Sequence, residues 1–359
     1  MARAPIVMIA DDLTGALDSA APFRTAGLST IVALDVGAIA EALATDADII
    51  VIDSDTRHRA PAEVGARMAG IWAALAVAQP RLVMVKVDSR LKGPIAAMIA
   101  ALLEHSGRTR ALVCPAAPDQ YRIVRGGQVT GKGVAAPISV AARLDGPPAD
   151  IADGEDMQDM RALARRLLAA GNAVLGVGAR GMAQGLAAEL AVEAGIAPRP
   201  AATPLQPLLL VVGSRDPIAL AQVEALLDRP GIVDCPAPGG YVGRRLPEAP
   251  VMLLRATDDG AVHEPTACAA RLARGVAPLV ARNRPATLFL SGGDTAHATL
   301  RALGIDLLVP EGEVLPGAPI CRPPDSDMHI VTKSGGFGAA DALVAIVAAA
   351  SPAQRGVAA

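Results

Sequence analysis

The chain has 359 residues, of which 52% are hydrophobic and 19% charged, and a formal net charge of −3. This balance excludes a disordered chain, and because single cores rarely grow to this length it predicts two domains. Charges of both signs are intermixed and only 2% of residues are aromatic, so neither a basic footprint nor a stacking platform for nucleic acid is present.

Short apolar runs alternate with Ala- and Leu-rich segments of helical length, the pattern of an α/β fold with mostly parallel sheets. In the first half the spacing predicts strands at 6–10, 29–34, 48–52, 81–87, 110–114 and 173–177, and helices at 16–26, 61–78, 94–105 and 156–170. The stretch 115–155 is rich in Gly and Pro and reads as an irregular, functional or mobile connection. A Pro-rich run, 196–204, marks the domain boundary and predicts domains over 1–200 and 206–350. Beyond it come strands at 207–212, 250–254, 286–290 and 328–332, with helices at 217–228, 265–283, 295–303 and 339–350. The last helix is almost wholly Ala, Val, Leu and Ile, which predicts burial.

Cys114, Cys235, Cys268 and Cys321 are widely spaced and read as reduced structural cysteines. No apolar run approaches the ~20 residues that span a bilayer, and the N-terminus lacks the pattern of a signal peptide. A cytoplasmic protein with small-molecule partners, and neither nucleic acid nor membrane among them, is expected. A homodimer is expected only from the prevalence of two-fold assemblies.

Several strand ends carry polar clusters, and in open α/β sheets ligands bind beyond those ends. The first strand runs into Asp11-Asp12-Leu13-Thr14-Gly15-Ala16. Acidic residues here can hold a metal or take a proton, and Asp and Thr also cap helices. The third ends in Asp53-Ser54-Asp55-Thr56-Arg57-His58-Arg59. Arg57 can offer a bidentate fork to a substrate carboxylate, or it can join Arg59, Asp53 and Asp55 in a surface ion-pair network. His58 is expected to be exposed. The fourth ends in Lys86-Val87-Asp88-Ser89-Arg90-Leu91-Lys92-Gly93, where alternation puts Lys86 and Asp88 on one face. An unpaired ammonium inside an apolar run is costly, so Lys86 should face a ligand or a carboxylate.

The second half holds two glycine turns in matching positions, Ser291-Gly292-Gly293-Asp294-Thr295 and Lys333-Ser334-Gly335-Gly336-Phe337-Gly338. Paired glycines before a helix let backbone N–H groups approach phosphate oxygens, which predicts a nucleotide site. A third turn, Gly213-Ser214-Arg215-Asp216, can hold phosphate or ribose. There is no Walker sequence, no protein-kinase HRD or DFG set, no GxGxxG after the first strand and no GxSxG. Kinship of 292–295 to the GGDGT turn of NAD and lipid kinases fails at Thr295, where that turn needs Gly.

Taken in order, these motifs resemble the four-carbon acid sugar kinase family. The resemblance rests on an Ala-Asp-Asp-Leu-Thr-Gly-Ala turn at 10–16, a turn at 86–93 that reads against the family's Lys-x-Asp-Ser-Thr-x-Arg-Gly, a Gly-Ser turn at 213–214, a Ser-Gly-Gly-Asp-Thr turn at 291–295 and a Lys-x-Gly-x-Phe-Gly turn at 333–338. It implies two α/β domains, each with a mostly parallel sheet flanked by helices, and an active site in the cleft between them. ATP with Mg²⁺ would phosphorylate the terminal hydroxyl of a small sugar acid such as threonate, erythronate or 3-oxo-tetronate. Asp12 or Asp11 would orient or deprotonate that hydroxyl, with Lys86 as a further catalytic group. Thr14, Arg57, Asp88, Ser89, Arg90 and Lys92 would contact the acid. Ser214, Gly292, Gly293, Asp294, Thr295, Gly335 and Gly336 would line the nucleotide site, and no metal ligand is assigned. The chain departs from the family at Arg90, where a small hydroxyl is usual, at Lys92, where Arg is usual, and around Tyr121-Arg122, 141–146 and 178–182. A non-catalytic sensor of metabolite and nucleotide is the alternative.

Overall fold

The computed structural model describes residues 4–243, 247 and 249–352. The chain divides into two compact units, Met1–Arg199 and Pro200–Ala359.

The first unit contains strands β1 (Ile6–Ala10), β2 (Thr30–Ala33), β3 (Ile49–Asp53), β4 (Leu82–Lys86), β5 (Arg110–Cys114), β6 (Arg122–Arg125), β7 (Gln128–Gly131), β8 (Ile138–Ser139), β9 (Ala149–Ile151) and β10 (Val174–Gly178). Its helices are α1 (Leu13–Thr25), α2 (Ile39–Ala44), α3 (Pro61–Leu75), α4 (Ile95–Ser106), α5 (Val140–Leu144), α6 (Met157–Ala170) and α7 (Arg180–Ala194). A wholly parallel sheet runs β2-β3-β1-β4-β10-β5-β9. Every residue of β1, β3 and β4 is buried, which is why these strands read as continuous apolar runs without alternation.

Three expectations for this unit need correction. The stretch 115–155 is ordered: β6, β7 and β8 form an antiparallel sheet, and α5 and β9 follow. Gly131, at φ +111°, has its Cα against the Tyr121 carbonyl, where a Cβ would lie 2.0 Å from the oxygen. The glycines in this stretch therefore permit tight turns rather than disorder. Helix α1 begins at Leu13, three residues earlier than its spacing predicts, because Asp12 caps it. Helix α7 was not foreseen: Gly181 and Gly185 dilute its pattern, yet they are what lets it pack, since a Cβ on Gly185 would lie 2.4 Å from the Met160 carbonyl oxygen.

The second unit contains β11 (Leu205–Gln206), β12 (Leu208–Val212), β13 (Val233–Pro238), β14 (Val251–Thr257), β15 (Thr287–Ser291), β16 (Leu307–Leu315), β17 (Ala318–Arg322), β18 (His329–Lys333) and β19 (Ser351–Pro352). Its helices are α8 (Pro217–Leu227), α9 (Pro265–Asn283), α10 (Gly293–Ala302) and α11 (Ala342–Ala349). The order β13-β14-β12-β15-β18 is parallel, and β17 and β16 extend it antiparallel. Prolines hid β13, and Pro310 and Gly312 hid the β16–β17 hairpin. Helix α11 is shorter than expected and only partly buried: Leu343 and Ile346 enter a core with Leu208, Leu210, Val223 and Phe289, while Ala348 is exposed. All four cysteines are buried and free. Among the described residues no helix is long and apolar enough to cross a membrane.

Candidate active site

In the first unit three of the polar turns leave adjacent strands. Ala10 on β1 stands in register with Asp53 on β3 and with Lys86 on β4, so the turns that follow emerge side by side. The chain runs from β1 outward to β2 and then returns to β4 on the other side of β1, the switch point at which an open sheet leaves a crevice.

Arg57 organises this crevice. Its Nε donates to Asp11 Oδ2 at 2.9 Å, its Nη2 to Asp11 Oδ1 at 2.7 Å and its Nη1 to Asp12 Oδ2 at 2.5 Å. The fork that sequence reasoning offered to a substrate carboxylate is thus occupied by the protein's own acids. The alternative surface network forms only in part: Arg59 pairs with Asp55, but Arg57 turns inward and Asp53 is buried, accepting the Asp55 amide at 2.9 Å. Burial pushes the Asp53 carboxyl well up, and the charges of Asp12, Asp55 and Asp11 add to this against the Asp55 amide. His58 is exposed.

The two acids of the first turn differ in surroundings. Asp11 is 1% exposed, and burial raises its carboxyl's pKa against the pull of Arg57. Asp12 keeps 22% of its side chain exposed. Its Oδ1 accepts the Gly15 amide at 2.9 Å, capping α1, and its Oδ2 also accepts the Thr14 hydroxyl at 2.7 Å. Asp12 is therefore a helix cap and an Arg57 partner at once. Across Gly15 from it lies Lys86: a Cβ at position 15 would come within 2.5 Å of Asp12 Oδ1 and 2.7 Å of Lys86 Nζ. Lys86 is 5% exposed, yet among the described residues it has no carboxylate at ion-pair distance. Its charge is nonetheless felt at Asp11, Asp18 and Asp88, so it faces carboxylates without closing an ion pair on any of them.

The 86–93 turn is braced on Arg57, because Gly93, at φ +89°, would place a Cβ 3.3 Å from the Arg57 carbonyl oxygen. Asp88 Oδ1 accepts the Arg90 amide at 2.9 Å. Burial alone would raise the Asp88 carboxyl, but Arg57, that amide, Lys86 and Arg90 together hold it below the usual range. Ser89 is buried and accepts a hydrogen bond from Arg122 Nη1, whereas Lys92 is exposed.

Sequence reasoning missed two groups here. One is Arg122 as a partner of Ser89. The other is Arg180, at the start of α7, where β10 pairs with β4 and Gly178 stands in register with Lys86. Arg180 is 5% exposed; its Nη1 donates to the Asp18 carbonyl and to Asp18 Oδ1, both at 2.7 Å, and its Nε to Asp119 Oδ2 at 2.7 Å. Burial raises the Asp18 carboxyl's pKa, opposed by Arg180 and Lys86. The available signal was an arginine two positions after the apolar run 174–178, but the helix it opens was not recognised.

The second unit repeats the register logic with different chemistry. Val212, Ser291 and Lys333 align across β12, β15 and β18, so the three glycine turns emerge together. Gly213 N–H donates to the Ser291 carbonyl at 3.3 Å and Gly292 N–H to the Lys333 carbonyl at 2.9 Å. The approaches are close: a Cβ on Gly213 would lie 2.0 Å from Thr295 Oγ1, and one on Gly335 2.0 Å from Ser214 Oγ. Gly292, at φ +103°, opens α10 without a side-chain cap, which leaves the first-turn N–H groups of Gly293, Asp294 and Thr295 for an anion. Thr295 and Gly335 are buried, while Asp294 and Gly336 are exposed.

Lys333 holds the last turn in shape. Its Nζ donates to the carbonyls of Ser334 at 2.9 Å, Gly335 at 3.3 Å and Phe337 at 2.9 Å, while Gln222 holds the Phe337 and Ala339 carbonyls. Burial pulls the Lys333 ammonium down to about 8, with Asp216 opposing. The turn does not lead straight into a helix as expected, since α11 starts only at Ala342.

The chain matches a sugar-binding N-terminal domain family over residues 6–148 and a nucleotide-binding C-terminal domain family over residues 245–343. It is 30% identical to a D-threonate kinase of Cupriavidus necator, with 94% of this chain and 96% of the relative covered. It is 29% identical to a 3-oxo-tetronate kinase of Methylobacterium radiotolerans, over 93% and 96% of the two chains. A solved structure from Haemophilus influenzae shares the fold, with a TM-score of 0.71 at 19% identity over 95% of this chain and 99% of that one. Matches of this extent, on a chain whose strand ends carry an acid–cation crevice in one unit and glycine cradles in the other, make it a sugar acid kinase and a member of the four-carbon acid sugar kinase family.

Proposed function

We propose that the protein transfers the γ-phosphoryl group of ATP to the terminal hydroxyl of a four-carbon sugar acid, of which threonate, erythronate and 3-oxo-tetronate are the first to test. The acid binds the N-terminal domain (1–200) and ATP the C-terminal domain (206–350). The observation that carries this reading is the pair flanking Gly15: a partly exposed carboxylate, Asp12, and a buried ammonium, Lys86, that makes no ion pair among the described residues. Phosphoryl transfer requires little more than an oriented hydroxyl and charge stabilisation, and this pair offers both.

Asp12 accepts the proton of the attacking hydroxyl. Asp11, wholly engaged by Arg57, fixes the guanidinium that in turn fixes Asp12, and Thr14 restrains the same carboxylate. Lys86 supplies positive charge toward the incoming phosphoryl oxygens. Asp88 and Ser89 accept or share hydrogen bonds with the acid's hydroxyls, and Arg90 contributes positive charge. The exposed Lys92 contributes only long-range attraction.

On the nucleotide side the uncapped amides of Gly293, Asp294 and Thr295 and the turn at Gly335 and Gly336 receive the phosphates, with Ser214 and Gly292 closing the cradle. A Mg²⁺ ion held mainly by phosphates needs only one or two protein carboxylates, and Asp294, exposed beside free amides, suits that role. Bound there, Mg²⁺ would neutralise phosphate charge.

The test is ADP release by purified protein with ATP and Mg²⁺ across C4 to C6 sugar acids, with neutral aldoses and water as controls. Release that depends on one acid is expected. ATP binding without release for any acid would favour a sensor instead.

A further inference from the structure

Beneath the last glycine turn of the second unit, Lys333 spends every donor it has on the turn itself. It is 2% exposed and forms no ion pair among the described residues. An ammonium carries three N–H groups, and these meet the carbonyls of Ser334, Gly335 and Phe337. Gln222, buried on α8, spends both amide N–H groups on the carbonyls of Phe337 and Ala339, so the Phe337 oxygen is held from two sides. None of these donors remains for a ligand.

In a planar trans peptide the carbonyl of one residue and the N–H of the next point in opposite directions. Each carbonyl that Lys333 holds is followed by a glycine: Ser334 by Gly335, Gly335 by Gly336, and Phe337 by Gly338. Drawing the three oxygens inward therefore turns three glycine amides outward, and among the described residues none of these amides meets a protein acceptor. Gly336 and Gly338 are exposed, so the outward side is open. Backbone N–H groups gathered in this way make a seat for an anion. Deprotonation would loosen the arrangement, because a neutral amine has two N–H groups for three carbonyls and turns a lone pair toward the third. Burial already lowers the ammonium to about 8, and Asp216 is the one charged group whose field opposes this. The other groups around it carry no charge: Ser291 in register on β15, Gln222 on α8, and on β17 Ile320 and the Cys321 thiol, which burial keeps protonated. Asp341, which opens α11, is exposed to water.

We infer that Lys333 and Gln222 are positioning residues of the nucleotide site, which hold the carbonyls of the 334–339 turn so that its glycine amides receive phosphate, and that ATP binding is thereby coupled to protonation of Lys333. The lysine does not touch the phosphate; it acts through the peptides it holds. A bound triphosphate adds negative charge beside the turn and favours the ammonium over the amine. Linkage makes the effect reciprocal: the protonated lysine favours ATP, and ATP binding to the unprotonated form takes up a proton. Affinity for ATP is therefore flat near neutral pH and falls as the free protein's lysine loses its proton.

This inference rests on the reading that ATP occupies the C-terminal domain, and calorimetry without any sugar acid tests it apart from turnover. ATP with Mg²⁺ is titrated into wild type, Lys333→Met and Gln222→Met at pH 8.5, in two buffers of different ionisation enthalpy. The triphosphate itself is already ionised at that pH. Wild type should take up roughly 0.7 proton per ATP and Lys333→Met none. Gln222→Met keeps the lysine, so it should still take up a proton while binding ATP about 10-fold more weakly. In steady state the wild-type KM for ATP should rise on the order of 10-fold from pH 7.5 to 9, and that of Lys333→Met should stay flat. Gln222→Met should raise KM for ATP without moving KM for the acid. ATP binding by wild type with no proton uptake, or equal uptake by Lys333→Met, overturns the coupling. Equal loss on ATP and acid in Gln222→Met overturns the positioning role. Should Lys333→Met fail to fold by circular dichroism, the wild-type uptake and Gln222→Met decide the question. ATP binding with uptake but no turnover of any acid removes the kinase reading and leaves this one standing, whereas no ATP binding at all overturns both.

Discussion

The two units solve one geometric problem with opposite materials. Each brings three turns together by aligning three adjacent parallel strands, β3-β1-β4 in the first and β12-β15-β18 in the second. The first fills the resulting crevice with charged side chains, whose positions depend on one another through Arg57. The second clears it with glycines, so that backbone amides form the surface and a single lysine, Lys333, holds the loop from behind. A phosphate chain is chemically constant and can be read by backbone. A sugar acid varies in hydroxyls and length and must be read by side chains. This explains why the departures from the family cluster in the first unit while the glycine turns persist in the second.

The comparison is sharpened most by Asp12→Asn. The substitution keeps the cap on α1, since an amide oxygen can still accept the Gly15 amide, but removes the proton acceptor. Turnover should fall on the order of 10²- to 10⁴-fold with ATP affinity nearly unchanged, and the melting temperature should drop because Arg57 loses an ion-pair partner. Near-normal turnover would remove Asp12 from the base role.

The reciprocal change is Gly335→Ala. Its Cβ would meet Ser214 Oγ at 2.0 Å, so the cradle must shift, and KM for ATP should rise roughly 10-fold or more while binding of the acid is unaffected. Equal damage to both substrates would show that the two turn systems are not separable.

A smaller effect is expected from Lys333. Its ammonium is lowered from 10.5 to about 8 by burial. Between those values the unfolded chain keeps a proton that the folded chain has released, so stability rises with pH. Denaturant titrations should show the stability difference between wild type and Lys333→Met moving in favour of wild type by on the order of 2 kcal/mol from pH 8 to 10, while both proteins share the opposite slope of the buried cysteines, whose thiols burial pushes up. Parallel curves for the two proteins would mean that Lys333 titrates normally.

Much of this arrangement was legible in sequence because it is local. Strands buried on both faces produce apolar runs, polar residues mark their ends, and helix 265–283 is recovered residue for residue because Pro265 and the αL residue Arg284 delimit it. What escaped depends on distant residues or on glycine. The direction of Arg57 is decided by acids 45 and 46 positions away, and that of Arg180 by Asp18, 162 positions away. No local pattern records such partners, so a fork free for a substrate and a fork closed on the protein look alike. In α7 and in 115–155, glycines that permit close packing mimic the composition of loops.

The most direct test of the whole scheme is the position of the transferred phosphoryl group, read by phosphorus NMR of the product formed from ATP and the preferred acid. The proposed placement of the acid's terminal hydroxyl at Asp12 predicts a phosphate monoester on the terminal carbon with one ADP per ester. An acyl phosphate on the carboxylate, or inorganic phosphate alone, would contradict it.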